Sequence, residues 1–152
     1  MAKMTKLLIF LSILYCGSAL AQNPNYDSTL AHKLEADEYG MKSYVLVILT
    51  SGTNDTTDKA FINECFTGHM TNIHKLVDEK KMIIAGPLGQ NDLSYRGIFI
   101  LDVKTIKEAE ELLLTDPAVK HNLLGAEIIE WYGSAALPAY LESSDKVWQK
   151  KP

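Results

Sequence analysis

The spacing of apolar residues along the chain switches between two periods. The run Tyr44-Val45-Leu46-Val47-Ile48-Leu49 is apolar on both faces and ends in the turn composition Ser51-Gly52-Thr53-Asn54-Asp55, which predicts a first strand over 44–49. From Asp58, a favoured N-cap, the period becomes helical: Ile62, Phe66, His69, Ile73 and Leu76 recur at spacings of four and three, flanked by Cys65 and Val77. Lys80 and Lys81 close that helix in the sense its dipole favours. A short run, Met82-Ile83-Ile84-Ala85, breaks at Gly86-Pro87, and a polar loop through Gln90-Asn91-Asp92 leads to a second run from Gly97 to Val103, which predicts a hairpin. Thr105 with Glu108 is a capping box for a second helix, with Ile106, Ala109, Leu112 and Leu113 as its stripe and an end by Thr115. Asp116-Pro117 restarts the chain as a turn or short helix through His121, and a last strand is predicted over Leu123 to Trp131. No internal repeat or low-complexity tract interrupts this order.

Strand, helix, strand, strand, helix, strand is the split βαβ order of a ferredoxin-like α+β sandwich with a four-stranded antiparallel sheet. Two helices cover one face of such a sheet. The strands at 44–49 and 98–101 carry apolar side chains on both faces, where a solvated sheet alternates, so the second face needs a cover. A second copy of the chain, giving a homodimer through the sheet face, is the expected cover; the competing one is the tail from Leu137 to Trp148 folding back.

The ends of the chain set its organisation. Lys3 and Lys6 precede an apolar run from Leu7, and Ala19-Leu20-Ala21 precedes polar residues, the three parts of a secretory signal peptide over 1–21. About 15 residues separate Lys6 from Gln22, fewer than the ~20 a membrane span needs. The expected mature chain is therefore exported, periplasmic or secreted, with no membrane span after cleavage. Tyr15 is bulkier than the small residue a lipid-attachment signal carries before its cysteine, which argues against lipid attachment at Cys16. Residues 22–42 read as a flexible linker, 43–137 as the α+β domain, and 138–152 as a C-terminal extension.

Cleavage leaves Cys65 as the remaining thiol, so no internal disulfide is expected. The leader takes two lysines and no acids with it, moving the net charge from −4 to −6. An acidic chain with one arginine, Arg96, lacks the clustered cations that nucleic acid requires.

His69 is the leading candidate for chemistry. On a helical wheel it lies roughly 20° from Ile62, with Ile73 roughly 20° on the other side, so an imidazole sits where an aliphatic residue is usual. It is either a core histidine satisfied by a carbonyl or a proton carrier facing a cavity. Gly68 costs the helix about 1 kcal/mol relative to alanine, which a close approach by another backbone or a ligand would explain. Asp116 is fully accounted for as an N-cap before Pro117; its functional reading is a carboxylate that orients His69. Arg96 is either an edge charge in solvent or a contact for an anionic group. Gly86 and Pro87 either end a strand or form a pocket rim that contacts substrate. His74, about 140° around the helix from His69, cannot join it on one metal and is expected at the solvent edge. Cys65 reads as a small buried hydrophobe, and Trp131 and Tyr132 as core or interface aromatics. No metal site and no cofactor motif is found.

The segments Thr67-Gly68-His69-Met70, Ile84-Ala85-Gly86-Pro87-Leu88, Arg96-Gly97-Ile98-Phe99-Ile100-Leu101-Asp102-Val103 and Thr115-Asp116-Pro117-Ala118 resemble, in order and spacing, the YCII-related (YciI-like) family. Glu130-Trp131-Tyr132-Gly133-Ser134 is similar to an exported branch of it. The resemblance spans about residues 43–137 and implies a dimeric α+β barrel whose site pairs His69 with Asp116. It also implies kinship with enzymes that remove chloride from, or isomerise, small ring compounds. The signal peptide and the C-terminal extension depart from the family pattern.

Two functions follow as expectations. One is a cofactor-free lyase or isomerase-like enzyme for a small organic molecule, with His69 as acid or base, Asp116 orienting it and Arg96 holding an anionic group. The other is a non-catalytic, small-ligand-binding dimeric module of the cell envelope.

Overall fold

The computed structural model of the chain describes residues 23–149; the leader expected over 1–21, with Cys16, lies outside the described residues. The described residues divide into two units, which meet between Leu30 and Ala31. In the first, the Tyr26 N–H donates to the Asn23 carbonyl at 3.0 Å. Asp27 Oδ1 accepts from the N–H groups of Thr29 and Leu30, capping the short helix α1 (Ser28–Lys33).

The second unit contains β1 (Met41–Ser51), α2 (Lys59–Asp78), β2 (Met82–Pro87), β3 (Tyr95–Leu101), α3 (Ile106–Leu113), α4 (Pro117–Lys120) and β4 (Leu124–Ser134). A 3-10 turn (Leu137–Tyr140) and the short helix α5 (Leu141–Ser144) follow. The sheet order is β2-β3-β1-β4 with every neighbouring pair antiparallel, which is the ferredoxin-like α+β arrangement. The caps foreseen in the sequence start α2, α3 and α4. Asp58 accepts from the N–H groups of Ala60 and Phe61, Thr105 from Glu108, and Asp116 from Ala118.

Val45, Val47 and Leu49 of β1, with Phe99 and Leu101 of β3, face the helices and pack with Leu76, Met82, Ala109, Leu113, Ala118 and Leu124 in one buried core. Truncating a core leucine such as Leu76 to alanine would cost about 2–5 kcal/mol in lost transfer energy and cavity formation. The other face holds a smaller cluster, Tyr44, Ile83 and Ile100, with Leu46, Ile84 and Trp131 packed on it. Leu137 and Leu141 of the tail also pack on that cluster. The competing cover, the tail, is thus present on part of the face. The tail covers one end of the face, while Ile129 remains 45% exposed and Leu46, Ile48 and Ile98 half-buried.

The elements extend past their expected limits for a backbone reason. β1 pairs on both sides, and its ladder with β4 runs from Met41↔Ser134 to Ser51↔Leu124, so polar Lys42, Ser43, Thr50 and Ser51 join the strand through main-chain bonds. Gly86 and Pro87 do not break β2 but end it; Pro87 is tolerated because β2 is an edge strand. The stretch expected as a linker over 22–42 is anchored at its far end. The Ala135 N–H donates to the Gly40 carbonyl at 2.9 Å, and the Lys42 ammonium pairs with Asp102 at 2.9 Å. The expected domain limit at 137 falls within the turn Leu137–Tyr140. Among the described residues, no helix is long and apolar enough to cross a membrane.

Candidate functional site

The buried stripe of α2 is Cys65, Asn72 and Leu76. At 100° per residue its centre lies roughly 60° from the Ile62–His69–Ile73 line expected from spacing alone. His69 consequently stands at the border of the core, its side chain 12% exposed, rather than at the centre. Phe66 and Met70, each 37% exposed, lie further round the helix and line an open hollow.

His69 Nδ1 and Asp116 Oδ2 are 2.6 Å apart. Asp116 is 1% exposed, and its other oxygen, Oδ1, accepts from the Ala118 N–H at 2.9 Å. A carboxylate there serves two tasks at once: it caps α4 and takes the Nδ1–H of the imidazole. A neutral ring so held keeps its lone pair at Nε2. Among the described residues Nε2 has no hydrogen-bond partner, and no buried side-chain nitrogen or oxygen lacks one, so Nε2 is open to the hollow. The ring is held edge-on by Phe66, with centroids 6.0 Å apart, and is stacked on Phe99 at 5.9 Å.

Local sequence explains how Asp116 reaches His69 across 47 positions. A Cβ on Gly68 would stand 2.6 Å from Pro117 Cγ, so glycine is what lets the start of α4 dock on α2. One turn further along α2, buried Asn72 holds the same junction: the Thr115 hydroxyl lies 2.9 Å from Asn72 Oδ1 and 2.6 Å from the Leu112 carbonyl.

The hollow is a cleft of about 950 Å³ between α2, the β2–β3 edge and the tail. Ala85 and Gly97, on the helix side of the sheet with Phe99, contribute little bulk beneath α2. Arg96, Gly86, Pro87 and His69 all line it, as do Tyr140 and Trp148 of the tail.

No protein-family model and no curated protein matches the sequence. Among solved structures, 5-chloro-2-hydroxyhydroquinone dehydrochlorinase (TftG) from Burkholderia phenoliruptrix AC1100, in complex with 2,5-dihydroxybenzoquinone, is similar at 18% identity, over 57% of this chain and 92% of that chain, with a TM-score of 0.41. What fixes the ferredoxin-like class is the strand order and antiparallel register of this chain itself.

Of the residues singled out from sequence, His69 and Asp116 are brought together, and Arg96, Gly86 and Pro87 share the cleft with His69. Asp116 stands behind the ring and is not among the cleft-lining residues. His74, expected at the solvent edge, is half-buried and lines the cleft. Cys65 is buried as expected, and burial, followed by the Glu64 and Asp116 carboxylates, pushes its thiol up. Among the described residues no three His, Cys, Asp or Glu side chains converge as a metal site would.

The residues missed are Asn72, Thr115 and the tail aromatics. Asn72 carried a legible signal, a polar side chain seven positions after Cys65 and four before Leu76, hence on the core stripe. The tail aromatics carried none, since 3-10 and single-turn segments have no period to read.

Proposed function

We propose that the chain is a cofactor-free enzyme of lyase or isomerase type that moves a proton on a small organic molecule. His69 Nε2 acts as the general base, Asp116 orients and charge-balances the ring, and Arg96 holds an anionic substrate group, with Gly86 and Pro87 at the rim. The observation that carries this reading is the 2.6 Å contact between His69 Nδ1 and a buried carboxylate in a histidine that lines the cleft. A core histidine satisfied by a carbonyl, the bland alternative, would have that carbonyl in place of the buried carboxylate and no cleft beside the ring. The resemblance of the Gly68-His69 and Asp116-Pro117 segments to the YCII-related family supports the same pairing.

In the proposed step, Nε2 takes a proton from the substrate and the freed electron pair either expels chloride or shifts within the ring. In an isomerisation the imidazolium returns its proton to a second atom. General acid-base catalysis of this kind contributes about 10²–10⁴-fold. His69→Gln keeps the side chain's size and hydrogen-bonding character but cannot take up that proton. Chloride release from chlorinated hydroquinones and solvent-deuterium uptake by cyclic enols should both fall by at least ~10²-fold in the variant. Unchanged turnover would remove the proposal.

The reading includes export with the leader over 1–21 and pairing of two copies through the uncovered part of the sheet face around Ile129. A non-catalytic binding module of the cell envelope is the second reading, favoured by the partly exposed Phe66 and Met70 on the cleft wall. Catalysis requires activity to follow the protonation state of His69, whereas apolar ligand binding should stay nearly flat between about pH 5 and 8.

A further inference from the structure

The segment after β4 takes no part in the His69–Asp116 pair, yet it reaches the same cleft. Tyr140 and Trp148 line it and are 47% and 43% exposed; Phe66 and Met70 of α2 line it at 37% each. Four large apolar side chains left uncovered around one hollow mark a surface that an apolar body covers.

Charge along the cleft is uneven. Arg96 stands at the Gly86–Pro87 end, where the Leu88 N–H donates to the Arg96 carbonyl. Asp78, on the last turn of α2, lines the cleft near the opposite end of β2, and Asp145 of the tail lines it too. From Met82 to Pro87, β2 spans about 16 Å at ~3.3 Å per residue. An anionic head is therefore favoured beside Arg96, and a second anionic group is repelled by the carboxylates. His69 and His74 line the intervening wall. The volume, about 950 Å³, lies at the upper end of the roughly 300–1,000 Å³ of small-molecule sites, so it has room for a body well beyond one six-membered ring.

We propose that the cleft binds a monoanionic amphiphile, with its carboxylate or sulfonate head at Arg96 and an extended apolar body against Phe66, Met70, Tyr140 and Trp148, so that the C-terminal segment is a wall of the ligand site. This binding rests on the anion contact assigned to Arg96 above and not on proton transfer at His69, so its failure removes that contact and leaves the His69–Asp116 step to its own test.

The probe is 8-anilinonaphthalene-1-sulfonate, an aryl anion whose fluorescence reports apolar surroundings. The chain has two tryptophans, Trp131 and Trp148, so Trp131→Phe leaves Trp148 as the sole donor for energy transfer to the bound probe. Saturable one-to-one binding with transfer from Trp148 is expected. Arg96→Gln should weaken that binding by about tenfold, and the uncharged parent, 1-anilinonaphthalene, should bind Arg96→Gln and native chain alike. In the native background Trp148→Phe should remove most of the transfer, an arm that stands even where Trp131→Phe fails to fold. Equal probe affinity in Arg96→Gln overturns the proposal. So does transfer that survives Trp148→Phe and vanishes in Ile129→Glu, because the probe then sits on the open sheet face.

Discussion

His69 and Asp116 stand 47 residues apart in the chain and 2.6 Å apart in space, and the contact exists because Gly68 leaves room for Pro117. The histidine rests on a helix and the aspartate on a cap, so two ordinary local motifs combine into one hydrogen-bonded pair.

Replacing Gly68 with alanine tests that dependence. Alanine gains about 1 kcal/mol of helix propensity, but its Cβ would meet Pro117 Cγ at 2.6 Å, and overpacking of this kind costs about 1–3 kcal/mol. The steric cost exceeds the gain, so denaturant midpoints should show Gly68→Ala destabilised by about 1 kcal/mol, with the His69–Asp116 contact loosened.

Asn72 and Thr115 should behave as a coupled pair. A double-mutant cycle with Asn72→Leu and Thr115→Val is expected to give a coupling energy of about 1 kcal/mol in urea unfolding. Strict additivity would mean that their contact contributes nothing to the junction.

Alkaline stability should carry a signature of Tyr44. Burial, and then the Asp102 carboxylate, push its hydroxyl up to about 12, so the folded chain holds the phenolic proton more tightly than the unfolded chain. The resulting stabilisation is complete below the ordinary tyrosine value of ~10 and is lost as pH rises through about 12. Tyr44→Phe loses the hydrogen bond to the Ser134 carbonyl, worth about 1 kcal/mol. It should also show a shallower fall in stability above about pH 10 than the native chain, measured by urea midpoints at rising pH.

Self-association should depend on the sheet face that the tail leaves open. Ile129, 45% exposed, lies beside Leu46 in the β1–β4 ladder. Ile129→Glu is expected to shift the chain from dimer to monomer in sedimentation without loss of helical signal. An unchanged dimer would move the interface elsewhere.

Sequence spacing made the sheet and its helices legible because each element announces itself locally: caps at Asp58, Thr105 and Asp116, and β-branched runs between turns. Strand ends were not legible at Met41 or Ser134, since ladder bonds recruit the backbone whatever the side chain. The stripe of α2 was misplaced because Phe66 read as a core residue when it lines a cleft. Periodicity reports which side chains are apolar, and it does not distinguish an apolar core from an apolar hollow. The Asn72–Thr115 bond and the tail walls depend on tertiary approach, which no local pattern encodes.

The most direct measurement is the nitrogen NMR spectrum of the His69 ring. Whenever the ring is neutral, the geometry predicts its proton at Nδ1, with a slowly exchanging Nδ1–H that is lost or accelerated in Asp116→Asn and a bare Nε2. A ring protonated at Nε2, or an Nδ1–H indifferent to Asp116→Asn, would contradict the pairing on which the proposed chemistry stands.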